Sequence, residues 1–125
     1  MAVWIAVASG SAFGAVLRHA FNGYIHQRNL ASTFPLGIFA INVLGSLLIG
    51  VVTGAIASER LHLSYEMRTF VIVGVLGGFT TFSSFSFDTL TLLREGHQAQ
   101  AIGNVVGQVG LSLIAVWAGF RVFAR

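Results

Sequence analysis

The 125-residue sequence contains no cysteine and no lysine, and it has one proline and four acidic residues. Without cysteine the chain forms no disulfide and offers neither a thiolate nucleophile nor a cysteine-ligated metal. It has no pair of carboxylates placed for acid–base work, and it lacks the nucleotide-cradling and serine-elbow motifs. The four histidines fall at spacings that make no ligand pair on one helical turn. These absences argue against an enzyme and against a cysteine or histidine metal site.

Charged residues are also scarce, and most of the chain consists of long apolar stretches. Charged residues make up 9% of the chain and hydrophobic residues 55%, with a mean hydropathy of +0.82. A soluble domain carries roughly 25% charged residues. We therefore predict an all-α integral membrane protein in which one domain, residues 1–125, crosses the bilayer four times. The predicted transmembrane helices, called spans 1 to 4 below, cover about residues 2–20, 35–58, 69–93 and 96–122.

Span 3 contains the most unusual segment, GVLGGFTTFSSFSFD at residues 74–88. Lipid offers no hydrogen-bond partner to an opened backbone, so an interrupted helix survives there only inside protein or beside a cavity. We predict that Gly77 and Gly78 unwind the helix and that Thr80 or Thr81 caps the part that restarts. The freed carbonyls could bind a cation such as Na⁺, or the local hydroxyls and water could satisfy a simple kink.

Three aromatic residues of this segment, Phe79, Phe82 and Phe85, recur at every third position. This spacing predicts that they lie near one face of span 3. The edge of a phenyl ring is electropositive, so rings presented edge-on in a dry passage would attract a small anion. Packing against neighbouring helices or lipid is the alternative.

Polar side chains occur at membrane depth in three of the spans. They are Asn42 in span 2, Thr80, Thr81, Ser83, Ser84 and Ser86 in span 3, and Asn104, Gln108 and Ser112 in span 4. The three in span 4 are four residues apart and share one stripe. They could line an ion pathway or join helices by hydrogen bonds. Asp88 is the only acid inside a span, so the chain lacks the buried carboxylates of a proton-coupled transporter.

Small residues at GxxxG spacing predict close helix packing, either within one chain or between two copies. They are Gly10 and Gly14, Gly50 and Gly54, and Gly103 and Gly107.

The arginines give almost no preference for one orientation in the membrane. With the N-terminus inside, four of them lie inside and three outside, namely Arg60, Arg68, Arg121 and Arg125 against Arg18, Arg28 and Arg94. Such a chain can insert both ways and pair with an inverted copy, although chance alone also produces a balance of this kind.

These residues resemble those of the Fluc (CrcB-like) fluoride channels. GGFTTFSSFSFD is similar to the family's third-helix pattern, which is close to GGLTTFSTFSxE. GAVLR, which contains Arg18, resembles its first-helix GAxxR, and GIFAIN, which contains Asn42, resembles its second-helix GTxxxN. The resemblance extends over essentially the whole chain. Four residues depart from these patterns, and they bear on the polarity of the vestibule and the shape of the polar track: Ile38, Phe79, Ser84 and Asp88.

The resemblance implies a function and an assembly. It implies an antiparallel, dual-topology homodimer in the bacterial inner (plasma) membrane, with two pores along its interface that export fluoride passively from the cytoplasm. The residues implied to contact fluoride are Asn42, Phe82, Phe85, Ser83, Gln108 and Ser112. The resemblance also implies one structural Na⁺ at the dimer centre, bound by the backbone carbonyls of Gly77 and Thr80 from both copies. Arg18, Thr81 and Asp88 belong to the matched motifs.

Two other functions compete with this interpretation. A small dual-topology, proton-coupled multidrug exporter has a similar size, but it would need an acidic residue deep in span 1, and residues 2–17 contain none. A non-conducting membrane subunit held by GxxxG contacts is the third hypothesis.

Overall fold

The computed structural model describes residues 1–30 and 32–123, which form helices joined by short loops. Four stretches are long and apolar enough to cross a membrane: Ala2–Arg28, Leu36–Ala57, Tyr65–Arg94 and Gln98–Phe123. The helical elements are α1 (Ala2–Arg28), α2 (Leu36–Ala57), α3 (Tyr65–Thr69), a π-helical segment (Phe70–Leu76), α4 (Gly77–Phe79), α5 (Phe82–Arg94) and α6 (Gln98–Phe123). The chain is therefore an all-helical, multi-pass membrane protein, as its hydropathy predicts.

Helix α1 continues well beyond the expected end of span 1 near residue 20. The polar residues from Asn22 onward remain helical as far as Arg28. The guanidinium of Arg28 lies 4.5 Å from the centre of the Tyr24 ring, one helical turn back. This cation–π contact, and the favourable position of a cation at a helix C-terminus, stabilise the extra turns.

The short connections are closed by residues suited to helix ends. Pro35 precedes the first residue of α2, and the Ser64 side chain accepts a hydrogen bond from the Met67 N–H to cap α3. Gly96 follows α5 with a φ of +83°, the left-handed conformation that glycine adopts at little cost. The turn at Gly96 lets α6 pack beside α5.

The backbone of the third span departs from the α-helix at two threonines. Thr80 has φ −82° and ψ 159°, and Thr81 has φ −155° and ψ 119°, both extended. The unwinding was expected at Gly77 and Gly78, but both are helical, and Gly77 has φ −64° and ψ −38°. Gly78 instead permits close packing, because a Cβ there would lie 2.6 Å from the Ser11 carbonyl oxygen.

Close contacts at glycines join α1 to the third span and α2 to α6. Gly10 lets α1 approach the π-helical segment, since a Cβ at that position would lie 2.7 Å from the Phe70 carbonyl oxygen. Gly50 and Gly54 in the same way let α2 approach the backbone of α6 at Val116 and Phe120. Two of the predicted glycine stripes therefore pack within one chain.

The buried core lies where the spans meet near the extended threonines. It consists of Ile38, Ile41, Phe79 and Phe85, with Phe21 and Leu44 packed against it. Phe79 and Phe85 lie on either side of Thr80 and Thr81, so this core contacts the third span both before and after the extended residues.

Candidate functional site

A groove of about 440 Å³ lies between α2, the third span and α6, open on one side. The structure brings most of the predicted site residues to it: Asn42, Gly77, Thr80, Thr81, Phe82, Phe85, Gln108 and Ser112. Side chains from spans 2 and 4 thus converge on the extended threonines of span 3. The groove combines amides, hydroxyls and aromatic rings in a part of the chain suited to the membrane.

Asn42 satisfies the backbone at the extended residues. Its Oδ1 accepts a hydrogen bond of 2.8 Å from the Thr81 N–H, and its Nδ2 donates one of 3.0 Å to the Thr81 carbonyl. This paired contact replaces helical hydrogen bonds that Thr81 does not make, which removes the cost of an unsatisfied backbone at membrane depth. Asn42 therefore stabilises the extended conformation from across the groove.

Several carbonyls lose their usual helical partners at the same place, and those of Gly77 and Thr80 are two of them. In a continuous α-helix the Thr81 N–H would donate to Gly77 and the Ser84 N–H to Thr80. The Thr81 N–H binds Asn42 instead, and the Ser84 N–H donates to the Thr81 hydroxyl at 3.2 Å. These two carbonyls are the ones implied to bind Na⁺.

Arg18 binds one of them. Its Nη1 donates a hydrogen bond of 3.2 Å to the Thr80 carbonyl, which connects α1 to the extended residues. Gly77 has free space beside it, because a Cβ at this position would meet only the Ile72 carbonyl oxygen, at 3.7 Å. Residues 1–30 and 32–123 contain no cluster of three histidine or acidic side chains that could bind a metal.

A chain of side-chain hydrogen bonds runs from Asn42 into α6 and back to α5. Asn42 Nδ2 donates to Gln108 Oε1 at 2.6 Å, and Gln108 Nε2 donates to Asn104 Oδ1 at 2.8 Å. Asn104 Nδ2 then donates to Thr89 Oγ1 at 2.9 Å, whose hydroxyl donates to the Phe85 carbonyl at 2.8 Å. Asn104 and Gln108 are buried, and they join helices as one of the two interpretations of their stripe predicts.

Sequence reasoning missed Thr89. Thr89 on α5 and Asn104 on α6 lie on opposite sides of the turn at Gly96 and His97. The two residues are equally far from that turn along the chain. In a helical hairpin such positions face each other. A glycine at position 96, between two apolar stretches, was therefore a signal in the sequence that could have paired these two residues.

The three phenylalanines do not share one face. Phe82 is 76% exposed and Phe85 8% exposed, and their ring centres are 5.2 Å apart at the groove. Phe79 is buried in the core, where its ring meets the Phe21 ring edge-on with centroids 6.2 Å apart. Phe79 shares this core with Phe85 but does not reach the groove with Phe82, because the extended threonines interrupt the helical periodicity between Phe79 and Phe82.

Ser83 and Asp88 lie outside the groove. Together with Ser84 they line a smaller cavity that also contains Asn22 and Ile38. The Ser83 and Thr81 hydroxyl oxygens are 3.2 Å apart, which links this cavity to the extended residues. Asp88 Oδ2 is buried and has no hydrogen-bond partner among the described residues. Three of the four departures from the family pattern, Ile38, Ser84 and Asp88, thus lie together.

Comparison with known proteins identifies the family. The family model described as CrcB-like protein, Camphor Resistance (CrcB), matches residues 5–120. The chain is 48% identical over 120 residues to a protein of Opitutus terrae named fluoride-specific ion channel FluC, covering 95% of this chain and 90% of that one. A protein of the same name from Paramagnetospirillum magneticum is 46% identical over 120 residues, covering 95% and 93% of the two chains. Another, from Rhizobium meliloti, is 44% identical over 116 residues, covering 93% and 91%. The chain belongs to the CrcB-like family.

Proposed function

We propose that this chain is a fluoride-selective channel that lets fluoride leave the cytoplasm passively across the bacterial plasma membrane. The observation that carries the proposal is the groove, where neutral amides and hydroxyls adjoin the rings of Phe82 and Phe85 between apolar spans. The related proteins named as fluoride-specific channels support it. A channel makes and breaks no covalent bonds, so the protein is not an enzyme.

The groove suits a small anion because it offers neutral dipoles. A bare fluoride ion in hydrocarbon would cost tens of kcal/mol, so a pathway must replace its hydration shell. The Ser112 hydroxyl, the second N–H of the Gln108 amide and the edges of the Phe82 and Phe85 rings are suitable replacements. Neutral groups bind an anion less tightly than an ammonium would, so the ion also leaves.

A second, inverted copy would close the pathway. Phe82 is 76% exposed beside polar groups, and lipid would leave those groups without partners. The nearly even distribution of arginines between the two ends favours insertion in both orientations. We therefore propose an antiparallel homodimer whose two copies together form two pores.

The residues implied to hold Na⁺ fit a cation on one structural ground. The Gly77 carbonyl loses its usual helical donor, and Gly77 lines the open groove. The carbonyls of Gly77 and Thr80 from both copies would bind the ion, which would supply a positive charge between these oxygens. The Thr80 carbonyl would share its second lone pair, since Arg18 already donates to it.

A substitution at Gly77 tests the cation site. A Cβ at Gly77 would meet a single atom within 4 Å, and Gly77 lines the open groove, so we expect the side chain of Gly77→Leu to enter the groove and to weaken dimer assembly or abolish its dependence on Na⁺. Gly23→Leu is the matched control, since nothing lies within 4 Å there. Size-exclusion chromatography in Na⁺ and in a large organic cation measures the effect. A Gly77→Leu dimer that is stable and retains its Na⁺ dependence would contradict the site.

Flux from liposomes tests the function itself. Purified protein is reconstituted into vesicles loaded with potassium fluoride, and a fluoride electrode records efflux after valinomycin is added. Rapid efflux without a proton gradient supports a channel, and the same assay with chloride measures selectivity. Efflux that requires a proton gradient would identify a coupled exporter, and retention of fluoride would favour a purely structural subunit.

A further inference from the structure

Thr89 and Asn104 do not line the groove, yet they form the far end of the hydrogen-bond chain that begins at Asn42. Asn104 is fully buried, at 0% exposure, and Gln108 is 4% exposed. Water therefore does not replace a hydrogen bond lost from this chain.

The backbone of Thr81 determines the orientation of the first two amides. A backbone N–H only donates and a carbonyl only accepts, so Asn42 must present Oδ1 to the former and Nδ2 to the latter. The second proton of Asn42 Nδ2 goes to Gln108, which must therefore present Oε1. Both amide protons of Asn42 are thus engaged, and Gln108 Nε2 is turned towards Asn104.

The same logic determines the rest of the chain. Asn104 accepts from Gln108 through Oδ1, so its Nδ2 faces Thr89 and needs an acceptor there. The Thr89 hydroxyl oxygen supplies that acceptor, and its proton goes to the Phe85 carbonyl. Rotating any one amide by half a turn would place two donors or two acceptors face to face. Thr89 is therefore the acceptor that completes a relay with a single allowed polarity.

We propose that Thr89 and Asn104 are positioning residues for conduction. Together with Gln108 they hold the amide of Asn42 and the free N–H of Gln108 in one orientation at the groove. The proposal rests on the proposed function, because Asn42, Gln108 and Phe85 matter to flux only if fluoride passes along the groove. The relay itself is a matter of geometry and can be tested separately.

Three variants separate the relay from ordinary helix stability. Thr89→Val has nearly the same shape but removes the acceptor for Asn104, whereas Thr89→Ser keeps the hydroxyl. Thr91→Val is the matched control, because the Thr91 hydroxyl also donates to a carbonyl one turn back in α5 but receives no bond from an amide. Fluoride efflux from liposomes is compared with the wild-type rate, and NMR in micelles records the side-chain amide signals of Asn42 and Gln108.

We expect Thr89→Val to lower the efflux rate about tenfold, the change that about 1.4 kcal/mol produces, and to shift the amide signals of Asn42 and Gln108. Thr89→Ser and Thr91→Val should retain near-wild-type rates and signals. The relay is refuted if Thr89→Val conducts normally, if Thr89→Ser loses as much activity as Thr89→Val, or if Thr91→Val gives the same loss.

Failure of the relay and failure of the proposed function are distinguishable. A wild-type protein that passes no fluoride would overturn the channel but not the relay. The amide signals then decide alone: a shift in Thr89→Val and none in Thr91→Val supports the relay, and unshifted signals overturn it.

Discussion

Phe82 and Phe85 both line the groove, but the first is 76% exposed and the second 8% exposed. We expect Phe82→Ile to lower fluoride efflux while leaving stability nearly unchanged, because it removes a ring edge from the groove and little packing from the core. Phe85→Ile should lower efflux and also cost about 1 to 3 kcal/mol of stability through the cavity it leaves. Liposome efflux and thermal unfolding in detergent measure the two effects.

The control for Phe82 is an exposed ring elsewhere. Phe13 on α1 is 55% exposed and lies outside the groove, so Phe13→Ile should conduct as the wild type does. Undiminished efflux in Phe82→Ile would remove this ring from the pathway.

For single residues, the sequence predicted which side chains lie at the site more readily than it predicted their hydrogen-bond partners. The four-residue spacing of Asn104, Gln108 and Ser112 indicated one stripe of α6. The first two are hydrogen-bonded to each other, as neighbours on one stripe can be. The contact of Asn42 with Thr81 joins residues 39 positions apart, and it depends on how two spans pack. No local pattern reports that packing, so the double hydrogen bond could not be predicted.

Among the helical elements, α5 depends on a cap inside the membrane. The Thr81 hydroxyl accepts from the Ser84 N–H, so Thr81→Val leaves that donor unpaired and should cost about 1 kcal/mol. Thr81→Ser keeps the acceptor and should match the wild type. Resistance to unfolding by SDS, followed by circular dichroism, compares the variants. Equal stability of Thr81→Val and Thr81→Ser would show that the cap does not stabilise α5.

The approach of α1 to the third span gives a second prediction for an element. A Cβ at Gly14 would lie 2.8 Å from the backbone nitrogen of Phe79, so Gly14→Ala should separate the helices and cost about 1 to 3 kcal/mol. Gly23 lies on the same helix with nothing within 4 Å, so Gly23→Ala should be neutral or stabilise by up to about 1 kcal/mol. Thermal unfolding in detergent distinguishes them, and a Gly14→Ala variant as stable as Gly23→Ala would contradict the packing.

The paired glycines show why the extended residues were placed too early from sequence. Glycine permits both unusual backbone angles and close helix contact, and sequence alone does not say which property is used. At Gly78 the contact with Ser11 is the use, while the extended angles occur at Thr80 and Thr81, where Asn42 supplies hydrogen bonds. The helix opens where a long-range partner, Asn42, provides hydrogen bonds to the backbone.

For the molecule as a whole, hydropathy predicted the four apolar helices because each must match the thickness of a bilayer. The end of α1 was missed because its last turns are polar and hydropathy does not register a polar helical segment. Pairing of two copies is a different kind of prediction, since it depends on a charge balance spread over the whole chain.

That balance can be shifted from either end. His62 and Glu66 are exposed at the end that carries Arg60 and Arg68, and Glu95 and Gln98 are exposed at the opposite end. The double variant His62→Arg with Glu66→Arg should insert with its N-terminus inside, and Glu95→Arg with Gln98→Arg should insert the other way, because cationic loops stay in the cytoplasm.

If the pore needs two inverted copies, each double variant expressed alone should give cells that accumulate fluoride, and the two expressed together should restore its export. Fluoride content of the cells, with membrane amounts of each variant checked by immunoblot, measures the outcome. Export at the wild-type rate by either biased variant alone would show that one orientation suffices. The antiparallel pair would then be wrong, while the groove, the extended threonines and the hydrogen bonds to Asn42 would still describe a single chain.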